Sequence, residues 1–186
     1  MKIAIVGDSF AADEVDHSWI SLLSEHHQIT NYSQRGISQY RLLNIVEQNL
    51  SSILDNDCVI LWHTNPDRVY INDDVEFPTR DLASHPCADL VASDSLNSNN
   101  SHWRNIAKTY YKIFHNTAQQ QLYHGFVVQR LRNITQSIRS VHCSGFELSG
   151  EIISFADIAQ TYPGTINHFD STGNYQVFEY LTRNIS

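Results

Sequence analysis

Four short segments of this 186-residue chain carry groups that can do chemistry, and their order matters more than any one of them. Gly7-Asp8-Ser9 follows a short apolar run, Ile3 to Val6. Gly36 lies in Asn31-Tyr32-Ser33-Gln34-Arg35-Gly36-Ile37-Ser38, after a second strand candidate. Asn65 lies in His63-Thr64-Asn65-Pro66-Asp67-Arg68, after a third. His168 sits near the C-terminus, in Asn167-His168-Phe169-Asp170-Ser171-Thr172-Gly173-Asn174. A serine on a sharp turn at the carboxyl edge of a sheet, with its hydroxyl exposed and a helix coming after, is a candidate nucleophile. Plainer readings exist for every one of these groups. Ser9 can simply cap a helix, Gly36 can be a turn glycine, Asn65-Pro66 is a common turn dipeptide, and His168 alone fits a surface or capping residue. Only their joint placement lifts the functional reading.

That placement depends on the elements around them. Ile3 to Val6 reads as a buried strand broken by Gly7. Trp19, Leu22, Leu23 and His26 recur at helical spacing on a segment opening near Asp16. Ile29 to Tyr32 is a second short strand. Leu42, Leu43, Val46 and Leu50 mark one face of a helix. Cys58 to Trp62 is apolar throughout, as expected of a strand buried on both faces. Strand, helix, strand, helix, strand implies parallel pairing with right-handed crossovers, so all three post-strand segments converge on one edge. A C-terminal loop before a last helix can reach the same edge. The rhythm changes at about 68–102, a polar stretch read as an insertion that borders the pocket, with Tyr70, Phe77 and Trp103 as aromatic neighbours. Two helical sets follow, Trp103 to Phe114 and Phe126 to Ile138, with Gly125 a possible break. Ser140 to Cys143 is a fourth strand candidate and Glu151 to Phe155 is ambiguous. Ser171 to Thr182 reads as a helix capped by Ser171 or Thr172, with Val177, Phe178 and Leu181 inward. No repeat and no linker divides the chain, so residues 1–186 are expected to form one domain.

With these residues in place, the chain resembles the SGNH (GDSL-type) hydrolase family. The resemblance implies a flavodoxin-like three-layer α/β/α sandwich with a central, mostly parallel sheet. It also implies hydrolysis of a carboxylic ester of the lipid or O-acetylated sugar class. Gly7-Asp8-Ser9 matches the first block, whose serine is the nucleophile. Gly36 matches the second block, whose glycine N–H helps bind the oxyanion. Asn65 matches the third, whose side-chain amide does the same. His168, with Gly173 after it, matches the last block and its base. Carried over, Ser9 attacks the carbonyl and His168 shuttles the proton, while the N–H groups of Ser9 and Gly36 and the Asn65 amide form the oxyanion hole.

Two departures accompany the match. The family's aspartate, which orients the imidazole, is replaced by Thr165. Losing such a carboxylate can cost about 10⁴ in rate. A Ser9–His168 dyad held by a backbone carbonyl or water, an atypical triad using Asp170, and a weak or inactive relative that serves as a binding or assembly subunit all remain open. In the third block, His63 and Pro66 replace a glycine and an aspartate. His63 can contact substrate or fill space at the strand end, the second being the default. Arg68 can pair with Asp67 or bind an anionic group, with a solvated charge the default.

Composition bounds the partners. A formal net charge of −8 argues against nucleic acid. No stretch is long and apolar enough to span a bilayer, and no leader segment is evident. Three unpatterned cysteines fit a reduced, cytoplasmic setting. The ten histidines show no recognised ligand spacing, so no metal is expected, and no cofactor either. A flavin or nucleotide binder is the other alternative, since residues 7–11 could cradle a phosphate, although no phosphate fingerprint is present. The expected partner is a small-molecule or glycan ester, and the oligomeric state is unknown.

Overall fold

The structure, a computed structural model, describes residues 1–12, 17–71, 89, 101–148, 150–164 and 168–185. Five strands form one sheet: β1 (Lys2–Gly7), β2 (Gln28–Asn31), β3 (Cys58–His63), β4 (Arg139–Ser144) and β5 (Ile153–Ser154). Their order is β2-β1-β3-β4-β5, and every pairing is parallel. The fold is therefore the expected α/β sandwich. Eight helices are described: α1 (Ser9–Ala12), α2 (Trp19–Ser24), α3 (Gln39–Gln48), α4 (Leu50–Leu54), α5 (Ser101–Ile113), α6 (Thr117–Ile134), α7 (Ala156–Thr161) and α8 (Ser171–Ile185). Among the described residues, no helix is long and apolar enough to cross a membrane.

The central strands are buried on both faces, which is why they read as unbroken apolar runs. Ile3, Ile5, Ile60 and Trp62 point to one face, where α2 and α8 contribute Trp19, Leu23, Val177 and Leu181. Ala4, Val6, Val59 and Leu61 point to the other, where α3 and α6 contribute Leu42, Val46, Val127 and Leu131. Side chains alternate along a strand, so each strand serves two cores.

Several boundaries differ from the sequence reading, each for a local reason. Helix α2 is capped by Ser18, whose hydroxyl accepts the Ser21 N–H at 3.1 Å; Asp16 lies outside the described residues. Gly125 breaks nothing and sits exposed inside α6. The break comes earlier, where Asn116 caps α6 by accepting the Gln119 N–H at 3.0 Å. At the C-terminal helix the cap is neither Ser171 nor Thr172: Asp170 Oδ1 accepts the Gly173 N–H at 2.8 Å. A carboxylate there also meets the positive end of the helix dipole. The ambiguous Glu151 to Phe155 segment contains β5, which pairs only through Ile153 and Ser154.

Gly7 shows how tightly β1 and β3 meet at the carboxyl edge. A β-carbon there would lie 2.5 Å from Trp62 Cβ and 2.9 Å from Ala11 Cβ. Gly7→Ala is expected to destabilise the protein by about 1–3 kcal/mol through overpacking, read as a lower urea midpoint with unchanged slope.

Candidate active site

Ser9 opens α1 directly after β1 and is partly exposed. Beside it, the Asp8 carboxylate is buried and accepts the Phe10 N–H at 3.0 Å. Burial pushes the Asp8 carboxyl up to about 6, with the Phe10 amide, the Arg68 charge and the Thr64 hydroxyl pulling the other way. Phe10 turns into an aromatic nest: its ring centroid lies 6.1 Å from Trp62, 5.7 Å from Phe146, 5.2 Å from Phe169 and 5.1 Å from His168. The residue that follows the serine thus packs against the C-terminal imidazole.

The segment bearing His168 is held by backbone and caps. Pro163 and Phe169 form an antiparallel bridge. The Gly164 N–H donates to the His168 carbonyl, and the Asp170 N–H donates to Tyr162 O at 2.9 Å. Gly164 has no room for a side chain, since a β-carbon would lie 2.4 Å from Phe169 O. Asn174 Nδ2 donates to the carbonyls of Phe169 and Asp170 at 3.1 and 3.0 Å, while its Oδ1 accepts the Trp19 N–H at 3.1 Å. That last bond ties α8 to the start of α2. Asp170 has one oxygen committed to capping α8. Thr165 lies outside the described residues.

Gly36 has φ of +73°, a left-handed conformation that favours glycine. Its carbonyl accepts the Asp89 N–H at 2.7 Å and Arg68 Nη1 at 3.1 Å. Asn65 opens a turn in which its carbonyl accepts the Arg68 N–H at 3.1 Å, with Pro66 at the position such turns favour. Its side-chain oxygen accepts the Asp67 N–H at 2.8 Å, which leaves the amide NH₂ uncommitted to that turn. Tyr111 of α5 and His115 just beyond its end brace this turn through Asp67, at 3.2 and 3.0 Å. The Ser9 N–H, the Gly36 N–H and the Asn65 NH₂ donate to no acceptor among the described residues.

The residue that ties the Gly36 and Arg68 loops together was not singled out in the sequence. Asp89 lies in the polar stretch, yet its carboxylate is fully buried. It accepts the Ser38 N–H at 2.7 Å, the Ile71 N–H at 3.1 Å, and Arg41 Nη2 and Nε at 2.9 and 3.2 Å. Arg68 is not a solvated charge: it is partly buried and braces backbone carbonyls. His63 is fully buried with both ring nitrogens bonded, Nδ1 to Gln39 Nε2 at 2.7 Å and Nε2 to His142 Nδ1 at 2.8 Å. It thus fills the strand end. Phe77 lies outside the described residues, and among the described residues no three His, Cys, Asp or Glu side chains converge to hold a metal.

Two solved structures match the fold over nearly the whole chain. One is the psychrotrophic esterase EstA from Pseudoalteromonas sp., in a structure inhibited by monoethylphosphonate. It is 11% identical, with 99% of this chain and 96% of that one covered, at a TM-score of 0.52. The other is TesA, 13% identical, with 100% and 98% covered and a TM-score of 0.52. No family model matches the chain, and no curated protein does. At such identity the likeness establishes the fold alone, a three-layer α/β/α sandwich shared with these two proteins.

Burial holds three imidazoles neutral. His124 and His142 are both pushed down to about 4, and His63 lies well below its ordinary value. In the unfolded chain they protonate near 6.5, so the unfolded state binds more protons between about pH 6.5 and 4. Stability therefore falls as pH drops through that window, by roughly 2 kcal/mol apiece for His124 and His142 at pH 5. Asp8 acts with the opposite sign, since its raised value makes stability fall as pH rises through 6. Urea melts are expected to show a net loss from pH 7 to pH 5, and Asp8→Asn to stabilise the protein more at pH 8 than at pH 5.

Proposed function

We propose that the protein is an SGNH-type serine hydrolase that cleaves a carboxylic ester of a small molecule or glycan. The observation that carries the reading is the packing of Phe10 on His168, which brings the residue after Ser9 against the C-terminal imidazole. Three uncommitted N–H donors, on Ser9, Gly36 and Asn65, support it, as does a fold shared with an esterase described as inhibited by a phosphonate. The reading covers residues 1–186 as one catalytic domain that acts in the cytoplasm without a metal or cofactor.

In this mechanism Ser9 Oγ attacks the ester carbonyl carbon while the imidazole of His168 takes the hydroxyl proton. The carbonyl oxygen becomes negative and is held by the Ser9 and Gly36 N–H groups and the Asn65 amide. Collapse breaks the bond to the alkoxy oxygen, and the imidazolium returns the proton to the departing alcohol. Water, deprotonated by the same imidazole, then frees the acid from Ser9. Position 165 supplies a threonine where the family has a carboxylate, so that position adds no negative charge, and turnover is expected to be slow rather than absent.

Hydrolysis of p-nitrophenyl acetate and labelling by a fluorophosphonate test the reading. Wild type is expected to show both, and Ser9→Ala and His168→Ala to lose both. Asn65→Ala is expected to lower kcat by about 10²–10³ with little change in KM. Equal rates for wild type and Ser9→Ala, with no labelling of either, would overturn it.

A further inference from the structure

Gln39, His63 and His142 form a buried hydrogen-bonded chain, with relative exposures of 3%, 0% and 6%. Its polarity is fixed from one end. The Thr64 N–H donates to Gln39 Oε1 at 3.4 Å, so the atom that Gln39 turns to His63 is its NH₂, at 2.7 Å from Nδ1. His63 Nδ1 must then accept. Its proton sits on Nε2 and is donated to His142 Nδ1 at 2.8 Å. Both rings are neutral, because burial disfavours their charged forms. A neutral imidazole that accepts at one nitrogen donates at the other. His142 therefore ends the chain with an Nε2–H. That atom is buried and meets no acceptor among the described residues, although an unpaired buried donor is unfavourable.

His142 lines a cavity of about 420 Å³, with Arg132, Ser140, Glu151 and Asn184 around it. The cavity opens at a gap in the sheet. Strand β5 pairs with β4 only at Cys143 and Ser144, so Arg139 to His142 have no strand on their outer side among the described residues. His142 Nδ1 is turned to His63, and Nε2–H lies across the ring from it. Arg132 is anchored at the same cavity, its Nη2 donating to Glu151 O at 2.9 Å and its Nη1 lying 3.3 Å from Glu151 Oε2. The Glu151 carboxylate itself is 93% exposed and free to swing away.

We infer that this cavity is a second binding site, for a small oxyanion (a carboxylate or a phosphate) held by the His142 Nε2–H and the Arg132 guanidinium. Ser140 offers a further hydroxyl donor. A cation fits poorly. To present a lone pair at Nε2, both histidines would have to move their protons to Nδ1 and the Gln39 amide would have to flip, setting its NH₂ against the Thr64 N–H. The site is separate from the carboxyl edge, yet its chain ends at Gln39, which lines a second cavity of about 350 Å³ with Arg68, Tyr70, Tyr123 and His124.

The test is NMR on full-length protein labelled with ¹⁵N-histidine, titrated separately with sodium phosphate and sodium acetate at matched ionic strength. The His142 Nε2–H resonance is expected to shift saturably with at least one of them, and the responding salt distinguishes phosphate from carboxylate. Arg132→Gln is expected to weaken the binding by about tenfold or more, and Glu151→Gln, which removes a like charge, to tighten it. No saturable shift with either anion would overturn the inference. So would an equal shift in Arg132→Gln, or loss of the Nε2–H signal on adding zinc while both anions leave it unmoved. Ester hydrolysis does not enter these readouts, so the site can fail while the hydrolase reading stands, and the reverse.

Discussion

Both ends of the chain rest on the indole of Trp62. The ring is fully buried, and four others pack around it: Phe10 at 6.1 Å, Trp19 at 5.1 Å, Phe155 at 5.4 Å and Phe169 at 6.0 Å between centroids. Three are stacked and one meets it edge-on. Such pairs contribute about 0.5–1.5 kcal/mol each beyond the area they bury. Phe10 follows Ser9 and Phe169 follows His168, so one side chain from the middle of the sequence sets the relative position of residues from the two ends. The Trp19 indole N–H adds a bond to the Phe10 carbonyl at 2.9 Å. Gly7 is the condition for this arrangement, because only a residue without a β-carbon lets β1 run so close to Trp62.

The opposite flank of the same edge is organised by charge. Asp89 gathers the Ser38 and Ile71 amides and the Arg41 guanidinium around a buried carboxylate, and its own N–H fixes the Gly36 carbonyl. Removing one partner of a buried ion pair typically costs about 3–5 kcal/mol because the other is left unpaired. The two flanks thus differ in kind. Ring packing adapts to small shifts, whereas hydrogen bonds to a carboxylate fix direction. That contrast suits the proposed mechanism, in which the Gly36 N–H aims at an oxyanion while a phenylalanine fills space.

The sequence disclosed the elements whose signals are local. Strands β1 and β3 are unbroken apolar runs, and Leu42 and Val46 lie on the buried face that their spacing marks. What it hid depends on long-range pairing. Asp89 lies in the stretch at about 68–102 that reads as a polar insertion, and its burial comes from loops that lie elsewhere in the chain. His63 and His142 face each other because parallel register sets His63 opposite Ser144 and Leu61 opposite His142. Ser140 to Cys143 reads as a strand, but nothing local says which face each residue takes until the partner strand is known. Strand β5 was ambiguous because two residues carry no period. Asp170 was considered as a partner for the imidazole, while its role as the cap of α8 went unread because the serine and threonine after it are also good caps.

The end of β3 shows how one strand terminus serves several ends at once. Side chains alternate along a strand, so Trp62 goes to the face that receives Phe10 and Phe169, and His63 goes to the face that receives Gln39 and His142. At Thr64 the strand has ended, and its free N–H orients the Gln39 amide, which in turn sets the proton positions of two imidazoles. Asn65 then leaves the sheet in a turn whose first bond pins its side-chain oxygen and leaves its NH₂ uncommitted. Four consecutive residues therefore feed the aromatic nest, the imidazole chain, the polarity of that chain and the Asn65 amide. Shifting this segment by one residue would exchange the faces of Trp62 and His63, placing an imidazole among the rings and an indole against Gln39. The segment's register is therefore fixed by both cores together, and the Asn65 amide inherits its position from that double constraint.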